Sequence, residues 1–372
     1  NIVKAVINSF ELRKHLPCFA HTINLIVTDS IKASSELKMI VDKIKAIVTF
    51  FKHSVNASDE LRKLQVKNGI KEGAVLKLKQ ECETRWNSMY YMLSRFLQLT
   101  QFISMILIRY SKPDMLMQSE IQIAKEIMTI LSPLEKITVE MSGDRYVTCS
   151  KIIPIVNCLV KTMEKSLPVT EPGKILHKNI QNQIIKRFYS DGSNIEKNDF
   201  LTISTMLDPR FKKLHFRNPL SVSITIEKIS KLMKVKDNVA ANTTKPRNRL
   251  APVVNDDNTI WNIHDELASS IITDFDEPGG VPVELRQFLN RPIIQRTDDP
   301  LTHWYQVKAE YPKLYKIAIK YLTIVATSVP SERLFSKAGN ILTEKRSRLS
   351  GARLCKLIFL SSLDENYWQN FL

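Results

Sequence analysis

The sequence predicts a mainly α-helical protein, and three observations lead to this fold class. Glycine is scarce, with nine in 372 residues, which disfavours glycine-rich phosphate loops and β architectures with many turns. Apolar residues recur at helical spacing, as in the stretch 37–51. Helix-start signals are clear, above all at Ser328 and Pro330. A hydrophobic content of 44% over this length predicts more than one compact unit.

The apolar periodicity places each helix in turn. The helix predicted at 37–51 has an apolar stripe, and lysines lie on its outer side; the stripe consists of Met39, Ile40, Ile44, Ile47 and Phe51. The segment 236–258 has no apolar periodicity and is predicted to be a flexible linker. Helices are predicted at 1–10, 21–35, 37–51, 82–100, 101–110, 119–141, 149–167, 174–189 and 221–235, and further helices are predicted to start at Pro312 and after Ser350.

The net charge predicts a polyanionic partner. The chain has 54 basic against 38 acidic residues, a formal charge of +16, and nucleic acid is the usual partner of such a chain. No run approaches the ~18 apolar residues of a spanning helix, so we expect no membrane partner. Five scattered cysteines give no disulfide framework and fit a reducing compartment.

The stretch Ser328 to Asn340 is the densest set of signals in the chain. Ser328 is predicted to cap a helix, and Gly339 to be the left-handed residue after its end. Leu334 and Phe335 are expected to face a core.

Glu332 lies near the start of this helix, and its carboxylate has two interpretations. It is either a metal ligand in phosphate chemistry or a complement to the helix dipole that pairs with Arg333 or Lys337. Local sequence favours the second.

Cys18 and His21 have a spacing that would let both bind one metal ion. A structural zinc site needs four ligands, and no second Cys or His pair lies nearby in the sequence. A packed cysteine beside a hydrogen-bonded histidine is therefore favoured over a zinc site.

Arg85 and Trp86 precede a strongly apolar helix. Trp86 is either a core residue or, with Arg85 on a phosphate, a ring that stacks on an unpaired base. The lysines of 37–79 are likewise either a solvated face or a DNA contact.

The sequence contains none of the common catalytic motifs. We find no phosphate-binding glycine loop, no Cys-x-x-Cys, no His-Glu-x-x-His and no nucleophile elbow. The acidic turn Asp298-Asp299-Pro300 is predicted to be a helix cap and not a catalytic dyad, because proline suits the first helical position.

Three blocks of sequence resemble a known family. They are the run from Tyr311 to Trp368 with Ser-Val-Pro-Ser-Glu-Arg-Leu-Phe-Ser, the block Cys18-Phe19-Ala20-His21-Thr22-Ile23-Asn24-Leu25, and Thr84-Arg85-Trp86-Asn87-Ser88. Together they resemble the hAT transposase superfamily, in its zinc-finger-BED-type branch. A fourth segment is also similar to this family, namely Leu207-Asp208-Pro209-Arg210-Phe211.

The resemblance implies a partial RNase H-like α/β core interrupted by a large all-helical insertion. Residues 1–35 would end the first part of that core. Residues 36–296 would form the insertion, with the linker at about 236–258. Residues 297–372 would be the hAT C-terminal dimerisation region that completes the core.

The resemblance also implies a catalytic role for Glu332, as one of three carboxylates that hold two metal ions. The two aspartates are expected upstream of Asn1, so we expect this chain to be a fragment, to hold no metal by itself and to be inactive in strand cleavage. Whether the protein is an enzyme stays open. Mg²⁺ or Mn²⁺ is expected only in an active full-length protein, and Zn²⁺ in an upstream zinc finger.

Two sets of contact residues complete the prediction. The candidate nucleic-acid-binding residues are His21, Arg85, Trp86, Lys345, Arg346 and Arg348. The candidate dimerisation residues are Leu314, Leu322, Leu334, Phe335, Leu357 and Ile358.

Three functions are consistent with these observations. The first is a transposon-derived nuclear protein that binds DNA, dimerises and regulates transcription. The second is the C-terminal part of a cut-and-paste DNA transposase. The third is a basic helical scaffold that binds only proteins.

Overall fold

The structure is a computed structural model, and it describes residues 16–82, 84–110, 113–143, 147–190, 192–240, 280–342 and 349–363. These residues are mainly helical, and no strand occurs among them. The mainly α prediction is confirmed, whereas no RNase H-like sheet is seen in this part of the chain. Within it, no helix is both long enough and apolar enough to cross a membrane.

The chain divides into two compact units, which we name unit A and unit B. Unit A comprises Pro17–Tyr146, Ser166–Ile180 and Ala326–Leu372. Unit B comprises Asn1–Leu16, Val147–Lys165 and Gln181–Val325.

The first five helices belong to unit A. They are α1 (Phe19–Lys32), α2 (Ser35–His53), α3 (Val55–Lys67), α4 (Trp86–Leu107) and α5 (Gln118–Met141).

The predicted stripe of α2 is largely buried, because Ile40, Ile44, Ile47 and Phe51 pack into the core of the unit. Met39 is the exception, with 58% of its surface exposed.

Two elements of unit A differ from the prediction. Helix α4 runs without a break through the predicted boundary at residue 100, because it contains neither glycine nor proline and its buried positions continue through Leu99 and Ile103. Helix α3 was not predicted. It starts where the Ser54 hydroxyl accepts from the Ala57 N–H, and its buried Gln65 bonds both backbone groups of Leu76.

Helix α6 (Ile152–Lys165) lies in unit B, and α7 (Glu171–Phe188) begins in unit A and ends in unit B. Unit B also contains α8 (Asp199–Leu207), α9 (Pro219–Ala240), α10 (Val283–Asn290), α11 (Pro300–Gln306) and α12 (Pro312–Leu322).

The core of unit B is centred on three aromatic rings, Phe288, Trp304 and Tyr311, whose centroids lie 4.7–6.4 Å apart. Asp299 caps α11 by accepting from the N–H groups of Leu301 and Thr302, as predicted.

The last two described helices, α13 (Val329–Ile341) and α14 (Gly351–Ser362), pack against each other in unit A. Ser350 caps α14 by accepting from the Arg353 N–H. The linker prediction falls mostly on residues 241–258, which lie outside the described residues, and its first residues continue α9 to Ala240.

Candidate nucleic-acid interface

The N-termini of α1 and α13 meet in unit A. The Phe19 N–H donates to the carbonyl oxygen of Ala326 at 3.0 Å. The Ser328 N–H donates to Cys18 Sγ at 3.3 Å, and the Ser328 hydroxyl oxygen lies 3.2 Å from the same sulfur. Residues 310 positions apart in the chain therefore form one local structure.

Glu332 lies one turn into α13, on the side of Ser328. The Ser328 hydroxyl donates to Glu332 Oε1 at 2.7 Å and makes no capping hydrogen bond to the helix backbone. The predicted side-chain cap is thus wrong, because Ser328 has a helical backbone conformation, with φ −82° and ψ 0°, and not the extended one from which an N-cap hydroxyl accepts. The helix also continues through Gly339 to Ile341, so Gly339 is not its C-terminal left-handed residue.

Helix α1 connects this corner to the start of α4. His21 and Asn24 follow Cys18 at intervals of three residues, so the three lie on one side of α1. Asn24 Oδ1 accepts from the backbone N–H of Trp86 at 3.0 Å. Arg85 immediately precedes this contact and is exposed.

These contacts connect residues of three distant segments of unit A, and we name the set the ridge. It consists of Cys18, His21, Asn24, Thr84, Arg85, Ser328 and Glu332. All three sequence blocks contribute to it, although they lie far apart in the chain. The sequence identified Ser328 only as a helix cap and Asn24 only as part of one block, because the contacts that bring both into the ridge join distant segments.

The ridge is electrostatically suited to an anion. The N-termini of α1, α4 and α13 lie on it, and each brings the partial positive charge of a helix start, with the Phe19 and Trp86 N–H groups bonded to Ala326 and Asn24. The first turns of α1 and α4 carry no acidic side chain. Arg85 adds a full positive charge, and Glu332 contributes the one carboxylate of the set.

Trp86 is placed differently from the other candidates. Its ring is 4% exposed and contacts Tyr90 edge-on, with the ring centroids 6.2 Å apart. Its indole Nε1 is buried without a hydrogen-bond partner among the described residues. Trp86 is therefore a core residue in this structure, and its ring is not accessible to a base. The stacking role is corrected on this ground.

The described residues do not provide a metal centre. Among them, no three His, Cys, Asp or Glu side chains come close enough together to hold an ion. Cys18 contacts Ser328, and His21 is exposed to solvent. Glu332 is the carboxylate that these segments bring to the ridge, and one carboxylate does not satisfy a two-metal site.

The candidate dimerisation residues separate into two groups. Leu314 and Leu322 are fully buried in the core of unit B, so they stabilise that core and are not surface contacts. Helices α13 and α14 are the opposite case, because no described residue in either is buried. Leu334, Phe335 and Leu357 are exposed, and Ile358 is half-buried.

The basic side chains that the sequence suggested as DNA contacts differ in how exposed they are and in whether they form ion pairs. Lys43 pairs with Glu120, and Lys45 lies 3.4 Å from Glu81, so the lysine face of α2 is partly neutralised within unit A. Lys63 and Lys67 on α3 are exposed. The predicted basic turn with Lys345, Arg346 and Arg348 lies outside the described residues.

The segment 207–211 is buried in unit B, where it forms hydrogen bonds with other segments of the unit. Asp208 is fully buried and accepts two hydrogen bonds from the Arg210 guanidinium, at 2.9 and 2.6 Å, and one from the Ser150 hydroxyl at 2.6 Å. Trp304 Nε1 donates to the carbonyl oxygen of Leu207 at 2.8 Å. This block therefore stabilises the fold and contributes no residue to the ridge.

Comparison with known families matches two regions of the chain. Residues 284–363 match the hAT family C-terminal dimerisation region, and residues 16–130 match the ZBED1 RNase-like helical domain. The chain is hAT transposase-like. The resemblance drawn from the sequence blocks is thereby confirmed, and each matched region contributes residues to the ridge.

Individual relatives of this hAT transposase-like chain agree. It is 22% identical over 347 residues to human zinc finger BED domain-containing protein 4, covering 92% of the chain and 28% of that protein. It is 26% identical over 358 residues to the putative AC transposase of Zea mays, covering 90% of the chain and 42% of the transposase. Human zinc finger BED domain-containing protein 6 is 21% identical, with 93% and 37% covered. The chain thus spans less than half the length of these relatives.

Proposed function

We propose that this hAT transposase-like chain binds DNA along the ridge and associates with a second copy of itself. The observation that carries the DNA part is the convergence of three helix N-termini and Arg85 on one surface. Such a surface favours phosphate without reading sequence. The excess of 16 positive charges supports it, because a polyanion offsets the self-repulsion of such a chain.

Self-association is supported by the match to a dimerisation region and by the exposed state of α13 and α14. A pair of short helices whose described side chains are all at least partly exposed gains little from its own packing, because helices of this length depend on tertiary burial. Contact with a second copy would supply that burial.

The proposal also covers the cell compartment in which the protein acts and its role there. A DNA-binding relative of transposases would act in the nucleus, and one matched protein carries the name putative transcriptional regulator. We include regulation of transcription in the proposal on this basis. The division into an RNase H-like core at 1–35 and 297–372 and an insertion at 36–296 is part of the same proposal, as is a Zn²⁺-binding finger in a longer chain.

A second candidate is that the chain belongs to an active transposase. The observation that favours it is the placement of an exposed carboxylate, Glu332, on the ridge beside the helix N-termini. With two aspartates from outside these segments, Glu332 would help to hold Mg²⁺ or Mn²⁺, which activate the attacking oxygen and stabilise the leaving one. The coding sequence upstream of Asn1 decides between the two, since loss of either aspartate removes the metal site.

Arg85→Ala tests DNA binding at the ridge. We expect weaker binding to a fluorescent duplex and a slope of log K against log salt that is less steep by about 1, because one phosphate contact is lost. Fluorescence anisotropy between about 50 and 200 mM salt measures both quantities.

The matched control is Lys32→Ala, which removes an exposed positive charge at the opposite end of α1. It is expected to leave the affinity nearly unchanged. Equal losses in the two variants would contradict a specific ridge, and the absence of salt-dependent DNA binding in the unmodified chain would favour the protein-binding scaffold.

A further inference from the structure

The connection between α3 and α4 contains a straight segment that is not helical. Residues 75–82 show neither a turn nor a bend. Leu76 and Leu78 are half-buried, whereas Lys77 and Lys79, which follow them, are exposed. This alternation is typical of a β-strand that has one covered face. The segment therefore has the form of a single strand, and no second strand lies beside it in the described chain.

Side chains hold both ends of this segment in the way that a neighbouring strand would. Gln65 Nε2 donates to the carbonyl oxygen of Leu76 at 3.0 Å, and the Leu76 N–H donates to Gln65 Oε1 at 2.9 Å. The Ser88 hydroxyl accepts from the Cys82 N–H at 2.7 Å and donates to the Cys82 carbonyl at 2.8 Å. Paired residues in a sheet exchange the same two kinds of bond. The segment is therefore fixed at both ends.

The backbone between these ends has an open edge. The N–H groups of residues 77–81 donate to no group among the residues that the structure describes. In a strand, the N–H and C=O groups of successive residues point to opposite edges. The Lys77 carbonyl accepts from Arg95 on α4 at 2.8 Å, so its edge faces α4. The other edge carries Leu78 and Gln80, whose N–H and C=O groups bond no described residue.

The charge around this open edge is positive. Glu72 pairs with Arg62, and Glu81 lies 3.4 Å from Lys45, so the acidic side chains on the segment and just before it are neutralised. Several exposed lysines there form no ion pair with a described residue, namely Lys63, Lys67, Lys71 and Lys77. The uncompensated charge attracts an acidic partner.

We propose that an acidic, extended segment of a partner protein adds to this edge as a β-strand. Its backbone pairs with the N–H and C=O groups of Leu78 and Gln80, and its acidic side chains lie beside the lysines. Because the segment is already extended and fixed at its ends, little ordering of this chain opposes the pairing. The inference is independent of DNA binding at the ridge.

The backbone groups favour a peptide over a nucleic acid at this edge. Each strand residue presents one donor and one acceptor, and a peptide backbone matches both. The phosphates of a nucleic acid accept hydrogen bonds but donate none, so they would leave the carbonyl groups of Leu78 and Gln80 without donors. The lysines alone do not separate the two partners, whereas the row of carbonyls does.

The test uses the full 372-residue chain and a fluorescein-labelled peptide of about eight residues in which Glu and Val alternate. A second peptide has the same sequence with its central backbone nitrogens methylated. Fluorescence anisotropy should show at least about 10-fold weaker binding of the methylated peptide, because the carbonyl groups of the segment lose their donors. Hydrogen exchange of residues 76–82 should slow with the unmethylated peptide and not with the methylated one.

Gln80→Pro removes one N–H from the edge and keeps the backbone extended. We expect it to weaken peptide binding about 2- to 12-fold, as the loss of one hydrogen bond predicts. Gln80→Ala is the matched control, because it loses the same side-chain contact with Lys52 and keeps the N–H. It is expected to bind like the unmodified chain. Circular dichroism checks the folding of both variants, and the two peptides decide the test if Gln80→Pro does not fold.

Four results would overturn the inference. They are failure of the unmethylated peptide to bind, equal binding of the two peptides, equal affinities of folded Gln80→Pro and Gln80→Ala, and protection of residues 76–82 by a DNA duplex but not by the peptide. The last result would assign the edge to nucleic acid. The first three would leave DNA binding at the ridge unaffected.

Discussion

Lys212 is a buried cation with a backbone conformation that non-glycine residues seldom adopt. Its φ is +47°, and its side chain is 3% exposed. Nζ donates to the carbonyl oxygens of Phe288 and Arg291, both at 2.5 Å, and to that of Pro292 at 3.3 Å. The cation also lies 4.6 Å from the centroid of the Phe288 ring. One side chain therefore ties the turn after α8 to the C-terminus of α10.

Replacing Lys212 by Met is expected to lower the free energy of unfolding by about 2–4 kcal/mol at neutral pH, because three buried carbonyls lose their donor. Chemical denaturation followed by circular dichroism measures the change. The control Lys213→Met alters an exposed neighbour and is expected to change stability by less than about 0.5 kcal/mol. Equal effects of the two substitutions would contradict this role for Lys212.

The same residue predicts a pH dependence. Burial, with Arg291 and Lys213 nearby, lowers the pKa of Lys212 from 10.5 to about 8. Between these values the unfolded chain binds more protons than the folded one, so stability from Lys212 rises with pH. The stability difference between the unmodified chain and Lys212→Met should therefore grow from about pH 8 to 9.5.

At the scale of elements, the start of α7 shows how one carboxylate positions a helix. Glu126 on α5 accepts from the N–H groups of Val169 and Thr170 at 3.0 and 3.1 Å, and the Thr170 hydroxyl caps the Gly173 N–H at 3.1 Å. A Cβ at Gly173 would lie 2.1 Å from Glu126 Oε2. Only glycine leaves room for this carboxylate.

Gly173→Ala is accordingly expected to destabilise the protein by about 1–3 kcal/mol, because the carboxylate must leave its donors. Thermal unfolding gives the shift. Gly73→Ala is the control, since nothing lies within 4 Å of the position of its Cβ. In the background of Glu126→Ala the cost of Gly173→Ala should shrink, and an unchanged cost would contradict this account.

The elements also show where local sequence is sufficient. Helix α2 and the caps at Asp299 and Ser350 follow from periodicity and from side chains that bond their own helix. Helix α3 was not predicted, and its contact of Gln65 with Leu76 is not visible in the local sequence. The break predicted in α4 at residue 100 was wrong, because the segment contains no glycine or proline and its buried positions continue through Ile103. Ser328 fails as a side-chain cap because its backbone is helical, with φ −82° and ψ 0°, and not extended.

For the whole molecule, the open surface of α13 and α14 predicts an assembly. Leu357→Glu places a charge on the exposed apolar side of α14 and is expected to convert a dimer into a monomer, because burial of an unpaired carboxylate is costly. Light scattering at micromolar concentration should change from about twice the chain mass of 42.8 kDa to that mass.

Lys356→Glu is the matched control for the assembly, because it places the same carboxylate side chain at an exposed polar neighbour, with an even larger change in net charge. It is expected to leave the dimer intact. A monomeric unmodified chain, or equal dissociation in the two variants, would contradict a contact through α14.

The amino-acid sequence by itself determined the helical class, the excess of positive charge and the resemblance to hAT transposases, because composition, periodicity and short motifs are local properties. The tertiary structure alone decided which residues share a surface. Asn24 meets Trp86 and Cys18 meets Ser328 across distant segments, and burial assigns Trp86, Leu314 and Leu322 to cores. Side chains of one type look the same in sequence, and only packing separates those that face a core from those that face a partner.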